Sequence, residues 1–293
     1  MKKILFIINP VAGGGKAKAL VPVIKGKMDK LDREYEIILT KGPKEAIKLA
    51  EDKVDDYDIV VAVGGDGTVN EVSRGLINKK KGILGIVPAG TGNDLAKLLG
   101  IPKNPSDALE LLCNGSVKLI DIGRANNYNF LNIGSIGFDA DVVINNINVI
   151  KKIIKSKISY VISVIYTLIH YKAKEVEVTV DGKTIRDKIL LLAVGNGKYY
   201  GGGLPILPMA VPDDGYFDIC LISKVPKIKF LLLFPSIFKG NHIEHQKYVK
   251  IFRGKEVKVK SAEKLNMNID GEVIPDLNEV LFSMGSEKLK VLC

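Results

Sequence analysis

The sequence predicts two domains of different class. Residues 1–120 read as a three-layer α/β domain with a parallel sheet. Residues 121–293 read as a β-sandwich-like all-β domain with inserted helices, the last few residues being free to return to the first domain. Three observations predict this. The chain has 293 residues, close to two domains at about 150 residues each. Its first 115 or so residues alternate short apolar runs with helix-like segments. After about Lys118 the texture changes to short alternating segments separated by turn residues.

In order, Lys3–Ile8 is an apolar strand ending at Asn9-Pro10, and Lys16–Leu31 has helical spacing with many lysines. Tyr35–Leu39 is a second strand and Pro43–Asp52 a second helix. Asp58–Val63 is a third strand, apolar on both faces, followed by a helix over Val69–Ile77. Ile83–Val87 is a fourth strand, and Gly92–Leu99 opens a fourth helix. A further helix follows Asn104-Pro105, because Pro suits the first helical turn. Strands apolar throughout and separated by helices point to a parallel sheet covered on both faces. In the second half, strands are expected at Lys174–Val180, Lys188–Val194, Tyr216–Ile222, Lys255–Lys260 and Leu265–Ile269. Helices are expected within Asp139–His170 and at Lys227–Phe234.

Composition narrows the function classes. Lys and Arg total 43 against 33 Asp and Glu, a net charge of +10, which favours anionic partners: nucleic acid, phosphorylated metabolites or acidic lipid surfaces. No RNP or basic helix-turn-helix pattern supports nucleic acid, and no nucleic-acid partner is expected. Cys113, Cys220 and Cys293 form no C-x-x-C and are odd in number, so neither a disulfide framework nor a zinc knuckle is expected. His170, His242 and His245 make no metal constellation. Lys2 and Lys3 precede only five apolar residues, too few for a signal peptide, and no run reaches the ~18 residues of a membrane span. The expected location is cytoplasmic.

The sharpest feature is Gly64-Gly65-Asp66-Gly67-Thr68 after the third strand. Glycines there let backbone approach a ligand closely, and N–H groups feeding a helix N-terminus suit phosphate. Asp66 within that turn is placed to hold a metal between phosphates. Thr68 and Glu71 also satisfy capping-box spacing, so a plain helix cap is the competing reading. Pro88-Ala89-Gly90-Thr91-Gly92-Asn93-Asp94 follows the fourth strand, and Asn9-Pro10-Val11-Ala12-Gly13-Gly14-Gly15 follows the first. In an open parallel sheet these loops lie at the carboxyl ends, where ligands bind. Known nucleotide fingerprints fail: Ala17 follows Gly15-Lys16, against a Walker A, and Asn70 and Tyr200 spoil two G-x-G-x-x-G candidates.

Taken together, GGDGTVNEV, PAGTGNDLA and INPVAGGG resemble the catalytic domain of the diacylglycerol kinase superfamily, and within it the bacterial soluble lipid kinases. The likeness continues through Asp121-Ile122-Gly123, Gly195-Asn196-Gly197, Gly201-Gly202-Gly203, Asp213-Asp214-Gly215 and Asp270-Gly271-Glu272. The resemblance implies an ATP- and Mg²⁺-dependent kinase that phosphorylates a lipid hydroxyl, most simply that of diacylglycerol, in a cleft between a nucleotide-binding domain and a β-rich lipid domain. It implies ATP contacts from Asn9, Pro10, Val11, Ala12, Gly13, Thr40, Gly65, Asp66, Gly67, Thr68, Val69, Asn70, Glu71 and Thr91. It implies Glu272 as catalytic base, with Asp66, Asp94 and Asp121 organising phosphate and metal. Val211, Asp214 and Tyr216 resemble a second Mg²⁺ site. Residues alone read Asp270-Gly271 equally as a hairpin turn and Asp213-Asp214-Gly215 as a surface turn. Lys97 stands where many relatives carry Arg and lacks its bidentate fork. A homodimer is carried as an expectation by resemblance only.

Two segments are candidates for meeting the lipid at the inner membrane face. Ile150–Lys174 holds six lysines, no acid and the apolar run Tyr160–Ile169, and Lys227–Lys239 is similar. Each can be an amphipathic surface helix or a core helix with a basic end. The competing functions are an NAD kinase-like enzyme and a catalytically idle nucleotide-binding protein.

Overall fold

The computed structural model describes residues 3–145 and 158–293. Two compact units emerge: residues 1–122 with 201–203 and 286–293, and residues 123–200 with 204–285. Residues 150–157 of the basic segment Ile150–Lys174 lie outside the described residues.

In the first unit, β1 (Ile4–Ile8), β2 (Tyr35–Leu39), β3 (Ile59–Gly64) and β4 (Ile83–Pro88) pair in parallel in the order β4-β3-β1-β2. Every residue of β1 and β3 is buried, as the unbroken apolar runs require. Between the strands lie α1 (Lys16–Ala19), α2 (Val21–Lys30), α3 (Glu45–Lys53), α4 (Asp66–Lys79), α5 (Asp94–Leu98) and α6 (Pro105–Asn114). Ile4, Phe6, Ile8, Val61 and Val63 share a core with Ile24 and Met28 of α2 and Leu109 and Leu112 of α6. The expected helix over Lys16–Leu31 is broken at Leu20, because Pro22 opens the second piece and has no N–H to continue the first. Asn104 caps α6, its Oδ1 accepting from the Ser106 amide at 2.9 Å.

The second unit is antiparallel. After β5 (Val117–Ala125) come β6 (Tyr128–Phe130) and β7 (Ile133–Gly137), then α7 (Phe138–Asn145) and α8 (Ile158–His170). They are followed by β8 (Lys174–Val180), β9 (Lys183–Gly195), β10 (Phe217–Ser223) and α9 (Lys227–Ile237). The chain ends with β11 (Val249–Gly254), β12 (Glu256–Ile269) and β13 (Glu272–Leu292). Strand order is β11-β10-β9-β7-β12-β13, with β8 pairing both β9 and β12. One core gathers Phe130, Phe217 and Phe282, and Phe130 stacks on Phe217 with centroids 5.6 Å apart. A second joins Phe138, Val164 and Leu168 to Phe230 and Ile237 of α9. The two strands expected at Lys255–Lys260 and Leu265–Ile269 are one strand with a register shift between Lys260 and Leu265, and the polar residues of that irregularity read as a turn. The end of β13, residues 286–293, belongs to the first unit, where Val291 pairs in parallel with Leu84 of β4.

Candidate active site

The three glycine loops of the first unit meet, and their glycines are what lets them. A Cβ on Gly13, whose φ is +61°, would lie 2.0 Å from the Ala89 carbonyl oxygen, so the loop after β1 presses against the loop after β4. A Cβ on Gly90 would lie 2.4 Å from the Gly65 Cα. One on Gly64 would lie 2.3 Å from Thr68 Oγ1. These separations exclude any side chain, so the glycines serve backbone approach.

Asp66 ties two of the loops together. Its carboxylate accepts from the Asn93 amide at 2.8 Å and the Asp94 amide at 2.5 Å. Asn93 itself is left-handed at φ +56° and clamps its loop: its Oδ1 accepts from the Gly90 amide and its Nδ2 donates to the Gly90 carbonyl, both at 3.0 Å. The three-glycine segment Gly201–Gly203 joins this cluster, with φ of +60°, +89° and +107°. Its Gly202 amide donates to Asp94 Oδ2 at 3.0 Å, and Lys97 Nζ donates to the Gly203 carbonyl at 3.4 Å.

Asp94 is the electrostatically costly member. It is 5% exposed, and its Oδ1 is buried with no hydrogen-bond partner. Burial and then the neighbouring Asp66 charge push its carboxyl up from 3.8 to about 6, against the Gly202 amide and Lys97.

Helix α4 begins at Asp66 with Gly65 as its N-cap, not at Val69. The capping-box reading therefore fails. Thr68 lies inside the first turn, and Glu71 Oε1 accepts from the Lys44 amide at 3.0 Å. That bond draws the loop after β2, with buried Thr40, to α4. First-turn amides of a helix have no intrahelical acceptor and carry the positive end of its dipole. The Thr68 and Val69 side chains are buried at 4% and 5%, and the Val69 amide donates to the Gly65 carbonyl at 3.1 Å, so of these two it is Thr68 that offers a first-turn amide to a ligand. Val11, Gly67 and Thr91 are exposed, and Asn9, Pro10, Ala12, Gly13, Gly65 and Asn70 are half-buried. Asn9 Oδ1 accepts from the Val11 amide at 3.2 Å, shaping the first loop.

Asp121 sits on β5, 1% exposed, with Lys288 Nζ of β13 at 2.7 Å. Sequence reading missed Lys288. It lies far along the chain in a strand the alternation did not reveal, and only the return of residues 286–293 brings it to Asp121.

In the second unit, Asp270 (φ +46°) and Gly271 (φ +93°) form the two-residue turn between paired Ile269 and Glu272. The hairpin reading is therefore right in shape, but the Asp is not a plain turn residue. Its carboxylate accepts from the amides of Leu131, Asn132 and Ile133 at 2.8, 3.1 and 3.0 Å. Asn268 Oδ1 accepts from the Gly271 amide at 3.0 Å. Half-buried Glu272 thus stands on a turn fixed from both sides.

The second Mg²⁺ site is not offered by its residues. Asp214 Oδ1 accepts from the Tyr216 amide at 3.0 Å, and Oδ2 pairs with Arg253 Nη2. Arg253 also stacks 4.6 Å over the Tyr216 ring, with Lys255 Nζ 4.8 Å from it. A guanidinium at the only carboxylate of the set Val211, Asp214 and Tyr216 does not fit a divalent cation. Among the described residues no group of three or more His, Cys, Asp or Glu could hold a metal, and no helix is long and apolar enough to cross a membrane. His242 is buried and its Nε2 meets the Ile206 carbonyl at 2.9 Å. The buried Cys220 thiol is pushed up to about 12.

Comparison with known proteins agrees with the loops. Residues 3–125 match the family described as the diacylglycerol kinase catalytic domain, and residues 133–293 match the YegS C-terminal NAD kinase beta sandwich-like domain. A Bacillus subtilis protein named diacylglycerol kinase is 30% identical over 275 residues, 93% of this chain and 90% of its own. A solved Bacillus anthracis structure described as a diacylglycerol kinase superposes with a TM-score of 0.75 at 24% identity, covering 99% of this chain and 96% of that one. The fold is also that of an Archaeoglobus fulgidus NAD kinase solved with ATP, at TM-score 0.56 and 14% identity over all of this chain and 94% of that one. The chain belongs to the diacylglycerol kinase family and is a phosphotransferase with an alcohol acceptor.

Proposed function

We propose that the chain is an ATP- and Mg²⁺-dependent lipid kinase that transfers the γ-phosphoryl group to the free hydroxyl of diacylglycerol. The observation that carries this is the convergence of the three glycine loops around Asp66, at direct backbone contact. On this reading the domain of residues 1–120 is a three-layer nucleotide-binding domain and residues 121–293 are a β-sandwich-like lipid domain. Backbone amides of the loops and of the α4 first turn receive the phosphates, where oriented N–H groups stabilise charge that develops on transfer. Asn9 to Gly13, Thr40, Gly65 to Glu71 and Thr91 line the nucleotide.

Asp66 and Asp94 would hold Mg²⁺. Two carboxylates from adjoining loops, one with a buried unpartnered oxygen, form a donor set that a divalent cation would relieve. The ion would neutralise charge shared between the phosphoryl oxygens. Asp121, paired with Lys288, braces the region. Glu272 accepts the proton of the lipid hydroxyl as its oxygen attacks phosphorus in line with the departing ADP oxygen, a contribution of about 10²–10⁴-fold.

Two things support a lipid acceptor: the relatives are named diacylglycerol kinase, and α8 and α9 carry exposed apolar side chains. Ile165 and Ile169 are 48% and 57% exposed, and Ile228 and Leu232 are 79% and 75%. With the surrounding lysines they suit a peripheral, non-spanning contact with an anionic cytoplasmic leaflet. A homodimer belongs to the same reading.

The test is to incubate the protein with γ-labelled ATP, Mg²⁺ and, separately, diacylglycerol vesicles, long-chain bases and NAD. Label on diacylglycerol is expected. Label on NAD would replace the reading with an NAD kinase, and nucleotide binding with no labelled acceptor would mean an idle binder.

A further inference from the structure

Behind the Asp270–Glu272 turn lies a buried acid that nothing above uses. Asp139, at the start of α7, is 8% exposed, and its Oδ1 has no hydrogen-bond partner. Its Oδ2 accepts from the Ser135 hydroxyl of β7 and from Asn268 Nδ2 of β12 at 3.3 Å. The same Asn268 side chain, through Oδ1, accepts from the Gly271 amide at 3.0 Å. A single hydrogen-bond chain therefore runs from Asp139 through Asn268 to the peptide N–H one residue before Glu272.

A carboxyl group is a costly way to fill this space. Burial pushes Asp139 up, with Ser135, Asn268 and the Ala140 amide pulling the other way, and an apolar side chain of like volume would cost less. What the carboxylate adds is direction. A carboxamide fits a pocket two ways round, with its donor and acceptor ends exchanged. Only an acceptor at Asp139 obliges the Asn268 Nδ2 to face inward, and so obliges Oδ1 to face Gly271. With the amide reversed, an NH₂ group would oppose the Gly271 N–H. The Gly271 N–H belongs to the Asp270–Gly271 peptide: its Asp270 end is held by the bonds to Leu131, Asn132 and Ile133, and at Gly271, with φ +93° and no side chain, the Asn268 bond is what holds the other end.

We propose that Asp139 is a positioning residue for phosphoryl transfer, which sets the Asn268 amide and through it the Asp270–Gly271 peptide of the turn that carries the Glu272 carboxylate. This rests on the reading of Glu272 as proton acceptor. A misplacement of about 1 Å at such a group costs about 100-fold in rate, so the effect belongs in kcat and not in nucleotide binding.

The experiment is steady-state kinetics of the full chain with ATP and diacylglycerol vesicles, alongside thermal melting. Asp139→Leu is expected to lower kcat about 10- to 100-fold, with KM for ATP within about twofold. Asp139→Asn can turn either its oxygen or its NH₂ group toward Asn268, so it is expected to lower kcat by more than about twofold but less than Asp139→Leu does. Added to Glu272→Gln, Asp139→Leu is expected to change kcat less than about twofold, since both act through one group. Should Asp139→Leu fail to fold, Asn268→Ala breaks the same chain at its middle and carries the same expectations. Multiplying losses in the double variant, or a lowered melting temperature with unchanged kcat, would overturn the proposal. If Glu272→Gln loses turnover while Asp139→Leu and Asn268→Ala do not, the positioning role alone falls. If Glu272→Gln keeps full turnover, the base assignment falls and the positioning role with it.

Discussion

Replacing Asp94 by Asn changes how stability depends on pH, and the sign is fixed by the environment. The folded-state pKa of Asp94 is raised, from 3.8 to about 6. A raised carboxyl favours the folded state while protonated, so its contribution is fully present below about pH 4 and is lost as pH rises through about 6. One pKa unit corresponds to about 1.4 kcal/mol, so the full difference is up to about 3 kcal/mol. Between about pH 5 and about pH 7.5 it amounts to about 1.4 kcal/mol, or about 3 °C in melting temperature for a chain of this size. Asn keeps an acceptor for the Gly202 amide but does not titrate. Any fixed penalty from its NH₂ group is the same at both pH values and cancels. In metal-free protein, the stability of Asp94→Asn relative to wild type should therefore rise by about 1.4 kcal/mol from pH 5 to pH 7.5, measured by urea unfolding at each pH. An equal difference at both pH values would show that Asp94 is not held against Asp66 in a desolvated loop, and the account of the loop cluster would be wrong.

Glu272→Gln should retain ATP binding by calorimetry and lose about 10²–10⁴-fold in turnover; unchanged turnover would remove Glu272 from the reaction. Gly90→Ala places a methyl 2.4 Å from the Gly65 Cα, so the two loops must separate. ATP affinity should fall at least tenfold, and an unchanged titration would mean the loops do not act together. Lys288→Met removes an ion pair to Asp121 that is open to water on the lysine side, where the side chain is 38% exposed. The loss in urea unfolding should be no more than about 1 kcal/mol, and a loss above about 3 kcal/mol would show that the pair is shielded from solvent.

What could be read in advance follows the physics of each segment. Strands β1 to β4 are unbroken apolar runs bounded by glycine loops, so their type and place were legible to within a residue or two. The glycine loops were legible for the same reason: runs such as Gly64-Gly65-Asp66-Gly67 serve backbone approach, and the approach proved to be between the loops themselves. Strand β7 was not legible, because Gly134, Ser135 and Gly137 look like a loop. Gly134 is small because a Cβ there would lie 2.6 Å from the Phe282 ring. Strand β13 was hidden by Pro275, Asp276 and Asn278, which interrupt alternation in a strand of 21 residues. The partners that complete the site are long-range: Lys288 to Asp121, Gly202 to Asp94, Asn268 to Asp139. No local pattern encodes them. The Asp214 turn likewise has a partner that no local pattern shows, Arg253, 39 residues on.

The central claim is that nucleotide phosphates held by the glycine loops are passed to a lipid hydroxyl under the control of Glu272. The most direct measurement is transfer of label from γ-labelled ATP to diacylglycerol by the wild-type chain and by Glu272→Gln, side by side with equal Mg²⁺. The account predicts labelled phosphatidic acid from the wild type and a loss of at least 100-fold in the variant. Equal labelling by both proteins, or label found on NAD with none on lipid, would contradict it.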